Sequence, residues 1–294
     1  MTGKIAVTAA SGGLGVLLVE QLKAAHGADN IVAVVRDPGR FADSEVEVRQ
    51  GDYADPEQMA AAFDGVDTVI LISSPASESD RVQLHRNVID AGVKAGVRKM
   101  IYTSVIGNGD EMNTMYAPMA EVNRQAEEDL AASGMEWIVA RNGLYLEFDV
   151  AHILNAAAEG VFRNNGGEGY CCYITRTEIA VALAILAGKD DCNGRILNLV
   201  GEAYRQDELV DIVNTQAETD VRYEFVDDDT CMAKFVPVRG EVVAAMLTGC
   251  YQAIRNGAFD VPSDFEDITG MPCKPMPLMI AEVVAASRAG QSER

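Results

Sequence analysis

The residues with the clearest chemical pattern stand between a short apolar segment, Ile5 to Val7, and an apolar helical pattern that begins at Val16. Between them, Ala9, Gly12 and Gly15 follow a GxxGxxG spacing, with alanine at the first glycine position. A strand leading directly into a helix leaves unpaired N–H groups at the helix N-terminus, and small residues let phosphate oxygens reach them. Taken alone, the pattern is more often an ordinary tight turn, and it indicates a phosphate cradle only together with the residues that follow downstream.

Polar residues at the ends of the next predicted strands could extend this cradle into a dinucleotide site. Arg36 stands where an NAD-specific fold places an acidic residue for the ribose 2′-hydroxyl. A guanidinium there favours NADP, because it can bind the 2′-phosphate with two hydrogen bonds; a surface arginine paired with Asp37 is the alternative. Asp52 follows the third strand, and its carboxylate could accept the adenine amino group. Ser73 and Ser74 follow the fourth, at the edge where ligands lie in open α/β sheets.

Three aromatic residues are candidates for substrate chemistry. Tyr116 follows Ser104 at close to the spacing of the Ser and Tyr in ordinary short-chain dehydrogenases. The lysine of that pattern is missing, since Ala120 occupies its position, and nothing obvious lowers the pKa of the phenol. A lid or packing role for Tyr116 is therefore the stronger alternative. Tyr145 and Phe148 could form a flat wall for a flat substrate, and core packing is the equal alternative.

The elements that must position these residues alternate along the first half of the chain. Predicted strands are Ile5 to Val7, Ile31 to Val35, Val46 to Val48, Thr68 to Ile72, Lys99 to Thr103 and Trp137 to Ala140, with helices at Pro56 to Phe63, Arg81 to Lys94 and Met119 to Ala132. Repeated βαβ units predict an α/β fold with a doubly wound parallel sheet of the Rossmann type. We expect an NADP-binding domain over residues 1–145. A smaller, mostly helical substrate-covering part over 146–294 would share an interface and some strands with it.

With these residues assembled, the chain resembles the NmrA-like group of atypical short-chain dehydrogenases, most closely the type 2 NADPH:quinone oxidoreductases and the triphenylmethane dye reductases. The matching pieces are VTAASGGLG, VAVVRDP, VEVRQGDY, ILISSP, HRNVIDAGVKAGVRKMIYTS, ARNGLY, ITRTEIA and FEDITGMP. The cofactor residues that the resemblance implies are Ser11, Gly12, Gly13 and Leu14 over the pyrophosphate with Thr8 and Gly15 beside them, Arg36 at the 2′-phosphate, Asp52 and Tyr53 at the adenine, Ser73 and Ser74 at the ribose, and Asn142 and Gly143 at the nicotinamide.

Two departures from the family pattern bear on binding and activity. Ala9 replaces the turn glycine, which limits how sharply the backbone can bend, and we expect binding to survive. On the catalytic helix the quinone and dye reductases carry His-x-x-x-Glu, whereas this chain has Asn123 followed by Glu127. Asparagine can hold a ribose or an amide but cannot relay a proton at neutral pH. Asn123 and Tyr116 are thus the catalytic candidates, and neither is a strong acid.

The composition disfavours several other classes of protein. The 45 acidic residues against 24 Lys and Arg give a net charge of -21, and no basic run occurs, which disfavours nucleic acid as a partner. The sequence has no apolar stretch of about 18 residues, so it predicts no membrane span. The 6 cysteines form no CxxC pair and the 3 histidines lie far apart, which disfavours a metal site. We expect a cytoplasmic protein acting on a small molecule, and a homodimer stays open.

The residues together predict an NADPH-dependent oxidoreductase that transfers hydride to a small conjugated acceptor of the quinone or enone type. A quinone accepts hydride to give a delocalised anion that amide and hydroxyl donors can stabilise without a strong acid. Neither a metal nor a cysteine is expected to take part. Two alternatives remain: a redox-sensing module that binds NADP(H) without turnover, which Asn123 keeps open, and a ketone reductase using Tyr116, against which the missing lysine argues.

Overall fold

The computed structural model of the chain describes residues 3–41, 45–75 and 80–292. Its strands are β1 (Lys4–Val7), β2 (Ile31–Val35), β3 (Glu47–Gln50), β4 (Val66–Ile72), β5 (Lys99–Val105), β6 (Glu136–Asn142), β7 (Leu144–Tyr145), β8 (Val161–Asn164), β9 (Cys171–Ile174), β10 (Arg195–Leu199), β11 (Ala203–Tyr204) and β12 (Arg222–Phe225). Its α-helices are α1 (Gly13–His26), α2 (Pro56–Ala62), α3 (Arg81–Ala95), α4 (Ala117–Ala132), α5 (Leu146–Asn155), α6 (Arg176–Ala187), α7 (Gln206–Ala217), α8 (Asp228–Arg239), α9 (Glu241–Arg255), α10 (Phe265–Thr269) and α11 (Met276–Ser292).

The central layer is a 7-stranded sheet in the order β10-β6-β5-β4-β1-β2-β3. Every neighbouring pair in it is parallel. Strands β2 and β3 are added on one side of β1, and the chain then crosses to the other side of β1, where β4 begins the second half of the sheet. In such sheets ligands bind outside the carboxyl ends of the strands where the order reverses, which here is between β1 and β4. The predicted doubly wound, Rossmann-type fold is confirmed.

Helices cover both faces of this sheet because successive side chains of its central strands point to opposite faces and are apolar on both. Ile5 and Val7 of β1 pack into one core with α1 and α6, whereas Ala6 packs into another with α2, α3 and α4. All five residues of β2 are buried. A strand that is apolar on both sides is typical of a parallel sheet between two helical layers. The carboxyl ends of the strands are left as the accessible edge.

The second half of the chain builds a further core from α5, α7, α9 and α11, packed around β9. The mostly helical character predicted for this half is confirmed. The short strands β8, β9, β11 and β12 of this half, with β7 just before it, form two small sheets that the sequence did not reveal, because segments of two to four residues carry no readable periodicity. Strand β10 and helix α6 belong to the main sheet and its covering layer. The boundary between residues 145 and 146 stays a prediction, and β10 lies beyond it.

Candidate active site

The glycine turn sets the N-terminus of α1 directly beyond the end of β1. Helix α1 begins at Gly13 after Gly12, and no side chain caps it, so its first N–H groups are available to an anion. A Cβ on Gly15 would lie 2.4 Å from the carbonyl oxygen of Ala9 and 2.7 Å from the Cα of Ala10. Only glycine lets the helix approach the turn this closely. The turn therefore fits a pyrophosphate held by backbone N–H groups.

Ala9 adopts the left-handed conformation that a glycine would supply, with φ of 48°. The Gly12 N–H donates to the Ala9 carbonyl at 2.9 Å, and the Ala10 N–H donates to the Val34 carbonyl at 3.2 Å. Ala9 thus adopts the positive φ that the bend requires, whereas the expectation was that alanine would limit the bend. The alanine instead carries strain, because contact between its Cβ and the backbone makes this conformation cost roughly 1 to 2 kcal/mol.

Replacing Ala9 by glycine should raise the free energy of unfolding by about 0.5 to 1 kcal/mol. The substitution removes the left-handed strain, and the extra entropy of glycine in the unfolded chain offsets part of the gain. Ala10 is the matched control, since it is fully buried and has no positive φ. Urea denaturation should show Ala10→Gly to be destabilising. A loss of stability in Ala9→Gly would contradict the strain.

Arg176, which the sequence analysis missed, lies beside the turn. A Cβ on Gly13 would come within 3.6 Å of its Cδ and Nε atoms. The guanidinium carbon lies 4.8 Å from the ring centroids of both Tyr145 and Phe148, and the two rings stack at 6.1 Å. The predicted aromatic wall therefore holds a cation next to the cradle. The only signal in the sequence was the Thr-x-x-Glu capping pattern in ITRTEIA, which puts Arg176 at the start of a helix.

The adenine end of the predicted site lies beyond β2 and β3. Arg36 follows β2 directly and is exposed, while Asp37 accepts a hydrogen bond from the Gly39 N–H at 3.1 Å. The Tyr53 hydroxyl bonds to Thr8 Oγ1 and donates to the Ile72 carbonyl at 2.7 Å. Thr8 and Tyr53 thus tie β1, β4 and the loop after β3 together. Both hydroxyls form hydrogen bonds within the protein, so a ligand would contact Tyr53 through its ring.

Asp52, after β3, and Ser11, in the glycine turn, also lie at this carboxyl edge. Asp52 is half-buried, and its Oδ1 accepts a hydrogen bond from the Ala54 N–H at 3.0 Å. The loop is thereby held in place by its own carboxylate. Ser11 is exposed and Leu14 is buried at the first turn of α1. Of these two, only Ser11 presents its side chain to solvent above the cradle.

The end of β4 carries a buried polar cluster around His85. His85 Nε2 accepts hydrogen bonds from the Ser74 N–H at 3.0 Å and lies 3.1 Å from Ser74 Oγ. Burial, followed by the nearby Arg81 cation, lowers the pKa of His85 to about 3. The imidazole is therefore neutral at physiological pH and acts as an acceptor that fixes Ser73 and Ser74. Sequence gave no signal for this, since an inward-facing helix position looks like any core position.

Asn123 lies under this cluster with its amide engaged at both ends. Its Oδ1 accepts from the Tyr102 hydroxyl at 2.8 Å and from Ser73 Oγ at 3.3 Å. Its Nδ2 donates to the Met119 carbonyl one turn earlier at 2.8 Å. The side chain is only 3% exposed. In this arrangement Asn123 positions Ser73, and its predicted catalytic role stays a prediction.

Glu127 stands one turn after Asn123, inside a buried ionic network. It accepts from Ser104 Oγ at 2.6 Å, from Arg124 Nη1 at 2.8 Å and from Arg141 Nη2 at 2.6 Å. Arg124 also donates to Glu111, whose side chain is 1% exposed, at 2.8 Å. The four charged groups alternate in sign, so the network is neutral overall. It ties α4 to the ends of β5 and β6, and the carboxylates of both Glu127 and Glu111 are engaged by arginines within it.

Tyr116 is a core residue at the start of α4. Its ring packs edge-to-face on Phe259 at 5.6 Å, and the residue is 7% exposed. A Cβ on Gly249 of α9 would lie 2.2 Å from the Tyr116 amide nitrogen, so α9 covers this turn closely. Burial raises the pKa of the Tyr116 phenol. An acid for ketone reduction needs a shift in the opposite direction.

The two predicted nicotinamide residues lie at the end of β6, where Asn142 is the last residue of the strand and Gly143 follows it. Asn142 is 3% exposed, and both its Nδ2 and Oδ1 are buried without a hydrogen-bond partner among the described residues. Its amide lies near the Tyr145 hydroxyl without the geometry of a hydrogen bond. A Cβ on Gly143 would lie 2.7 Å from the Cys172 carbonyl oxygen, so Gly143 serves the close packing of β9. Asn142 thus carries unused donor and acceptor capacity that suits a ligand amide.

Asn142→Leu should raise the stability of the ligand-free protein by about 1 kcal/mol, because a buried amide without partners costs free energy that an apolar side chain of similar shape avoids. Asn164 is the matched control. It is fully buried, but it bonds to Gln206, Gly166 and Tyr223, so Asn164→Leu should be destabilising. Thermal denaturation of both variants tests this. Equal destabilisation by both would mean that the Asn142 amide is satisfied.

The environment of the adjacent Cys171 and Cys172 does not favour a reactive thiol. Cys171 and Cys172 are buried, and burial raises the pKa of both thiols, which disfavours the reactive thiolate. Among the residues that the structure describes, no group of three or more His, Cys, Asp or Glu side chains could hold a metal ion. No helix within the described ranges is both long and apolar enough to cross a membrane.

Comparisons with known proteins add to this geometry. Residues 9–187 match the model of the NAD(P)H-binding family. The chain is 31% identical over 274 residues to quinone oxidoreductase 2 of Escherichia coli, which covers 91% of this chain and 94% of that protein. It is 30% identical over 238 residues to an NmrA-like family domain-containing oxidoreductase of Aspergillus flavus, covering 75% of this chain and 76% of that one. The Citrobacter sp. triphenylmethane reductase complexed with NADP(H) superposes with a TM-score of 0.84 at 30% identity, over 95% of this chain and 99% of that chain.

Proposed function

The chain belongs to the NAD(P)H-binding family and is an oxidoreductase of its NmrA-like group, and from this premise we propose that it uses NADPH to reduce small quinone-like compounds. The similar Escherichia coli protein is named a quinone oxidoreductase, which supports the acceptor class. The net reaction takes one NADPH, one proton and one quinone to NADP⁺ and a hydroquinone. Cytoplasmic location and a homodimer stay predictions from the sequence.

The proposed cofactor site uses the carboxyl edge of the sheet. The uncapped N-terminus of α1 would hold the pyrophosphate, and Arg176 beside Gly13 would add a positive charge to the same group. Arg36, after β2, would bind the 2′-phosphate, and the unpartnered amide of Asn142 would bind the carboxamide. When bound there, the dinucleotide supplies the hydride. The residues of the chain would bind the dinucleotide, orient it and exclude water from the site.

The observation that carries the choice of acceptor is the absence of a suitable acid among the described residues at this edge. Tyr116 is buried with a raised pKa, His85 is held neutral by a pKa of about 3, and Glu127 is enclosed in an ionic network. Reduction of an isolated ketone needs a positioned acid, which contributes typically about 10²-fold to 10⁴-fold. A quinone needs hydrogen-bond donors for its delocalised anion, and solvent can protonate it afterwards.

The test is to mix the purified protein with NADPH and a panel of quinones, enones and ketones, and to follow the absorbance of the reduced cofactor. Quinones should be turned over fastest and simple ketones slowest. Faster turnover of ketones would replace this proposal by the ketone reductase. Tight NADPH binding with no oxidation by any acceptor would favour the redox-sensing module.

Tyr116→Phe should lower turnover of a quinone by less than about tenfold, because a buried phenol with a raised pKa is a poor proton donor. The substitution keeps the ring that packs on Phe259, so the fold is retained. Steady-state rates of the variant and the unmodified protein with the same quinone decide the question. Loss of all activity at unchanged NADPH affinity would identify Tyr116 as the acid.

A further inference from the structure

A cleft of about 900 Å³ opens between the N-terminal turns of α3 and α4 and the helix α9. Most of its lining is apolar and rich in methionine: Met115, Pro118, Met119, Val122, Val242 and Met246. Its volume is in the range of clefts that take small ligands, about 300 to 1,000 Å³. The charged residues of the lining are Asp80 and Arg81, at the start of α3.

Arg81 is a buried cation, and none of the described residues supplies it with an anion. It is 8% exposed, and among the described residues no carboxylate forms an ion pair with it. Its Nε donates to the Ser74 carbonyl at 3.2 Å and its Nη2 donates to Ser73 Oγ at 2.9 Å, while its Nη1 donates to a weak acceptor, the thioether sulfur of Met119. A buried charge is costly unless a partner of opposite charge compensates it. The N–H groups of Nη1 could therefore donate to a stronger acceptor, such as a carboxylate.

The start of α3 adds a second feature that favours an anion at the same place. The residue before the helix, Asp80, makes no side-chain cap, so the first N–H groups of α3 are not used by it. Val82 and Gln83, in that first turn, line the cleft together with Arg81. The positive end of a 15-residue helix and a buried guanidinium thus meet at one wall of an apolar cleft.

We propose that this cleft binds a flat apolar molecule that carries a carboxylate, with the carboxylate on Arg81 and the first turn of α3. The inference rests on the proposed function in that the molecule would be a quinone-like acceptor bearing an acidic substituent. Ser73, which Arg81 contacts, lies at the carboxyl end of β4. A ring bound in the cleft therefore lies next to the edge where the cofactor is proposed to bind.

Asp80 opposes this binding but does not cancel it. Its carboxylate also lines the cleft, yet the residue is exposed. Charges in contact with water interact weakly, whereas a charge in a low-dielectric site interacts several times more strongly at the same distance. The buried guanidinium therefore dominates over the exposed carboxylate. The same argument predicts that removing the charge of Asp80 strengthens the binding of an anion.

The experiment is calorimetric titration of the whole protein, without cofactor, with 2-naphthoate and with 2-naphthalenemethanol, which has the same ring and no charge. Naphthoate should bind at least about tenfold more tightly, as for a charge-assisted hydrogen-bonded pair. Arg81→Met should bring the ratio of the two affinities to about one, and Arg81→Lys should give an intermediate ratio because lysine lacks the planar fork.

Asp80→Asn keeps the test decisive if Arg81→Met folds poorly. Asp80 has φ of 55°, a conformation that asparagine tolerates, and this variant should raise naphthoate affinity by about twofold to fivefold. Equal binding of the two ligands by the unmodified protein would overturn the inference. Because turnover is not measured, a preference for naphthoate supports the inference even if no quinone is reduced.

Discussion

Replacing Glu127 by alanine is expected to lower the free energy of unfolding by about 3 to 5 kcal/mol, the range for breaking a buried ion pair from one side. Arg124 and Arg141, whose side chains are half-buried, would both lose the carboxylate to which they donate, and among the described residues only Arg124 would keep another, that of Glu111. Ser104 would lose its acceptor as well. Urea denaturation followed by circular dichroism measures the loss. The effect is large because the remaining charges face each other across the site that Glu127 leaves.

The neighbouring Glu128 gives a matched control on the same helix. It is exposed, and a surface substitution of this kind changes stability by no more than about 0.5 kcal/mol. Glu127→Gln, which keeps the shape and removes the charge, should fall between the two alanine variants. If Glu127→Ala were no more destabilising than Glu128→Ala, the network would be energetically irrelevant to the fold.

Arg36→Ala should remove most of the preference for NADPH over NADH. In the unmodified protein we expect NADPH to bind more tightly by about 1.5 to 3 kcal/mol, or one to two decades in affinity, because a guanidinium can bind the 2′-phosphate with charge-assisted hydrogen bonds. The exposed position of Arg36 at the end of β2 allows that contact. Titration of both cofactors against both proteins gives the difference directly.

Arg176→Ala distinguishes the two arginines. Arg176 lies beside Gly13, next to the proposed pyrophosphate, which NADPH and NADH share. Its loss should therefore weaken both cofactors alike, by roughly tenfold, and leave their ratio unchanged. Equal affinities of the unmodified protein for NADPH and NADH would refute the role of Arg36. A change of ratio in Arg176→Ala would mean that the two roles are exchanged.

The sequence predicted the strand–turn–helix at the N-terminus and the sheet well because both depend on local patterns. Apolar strands that end in small or polar residues repeat along the first half, and parallel strands bring those ends to one edge. The motifs from the glycine turn to FEDITGMP indicated the NmrA-like group, and this assignment is confirmed by the family match and the similar relatives. The conformation of Ala9 was not predictable, since alanine seldom adopts a positive φ.

The buried polar groups could not be predicted, because their partners come from distant parts of the chain. Glu127 meets Arg141 from the next strand and Glu111 only through Arg124. Arg176 reaches the glycine turn from a helix that the sequence analysis assigned to the second half. Charged residues on helices are usually on solvated faces, so no pattern in the sequence distinguishes an exposed arginine from one buried against Ser73 and Ser74, as Arg81 is.

Strand β10 imposes a condition on folding during synthesis. It pairs in parallel with the whole inner length of β6, from Arg195 beside Ile138 to Leu199 beside Asn142. Until the ribosome has released β10, β6 has a free edge with apolar residues on it, and such an edge can pair with another chain. A fragment ending near residue 145 should therefore aggregate. The main sheet is completed only after β7, β8, β9 and α6 have emerged, so the two halves mature together.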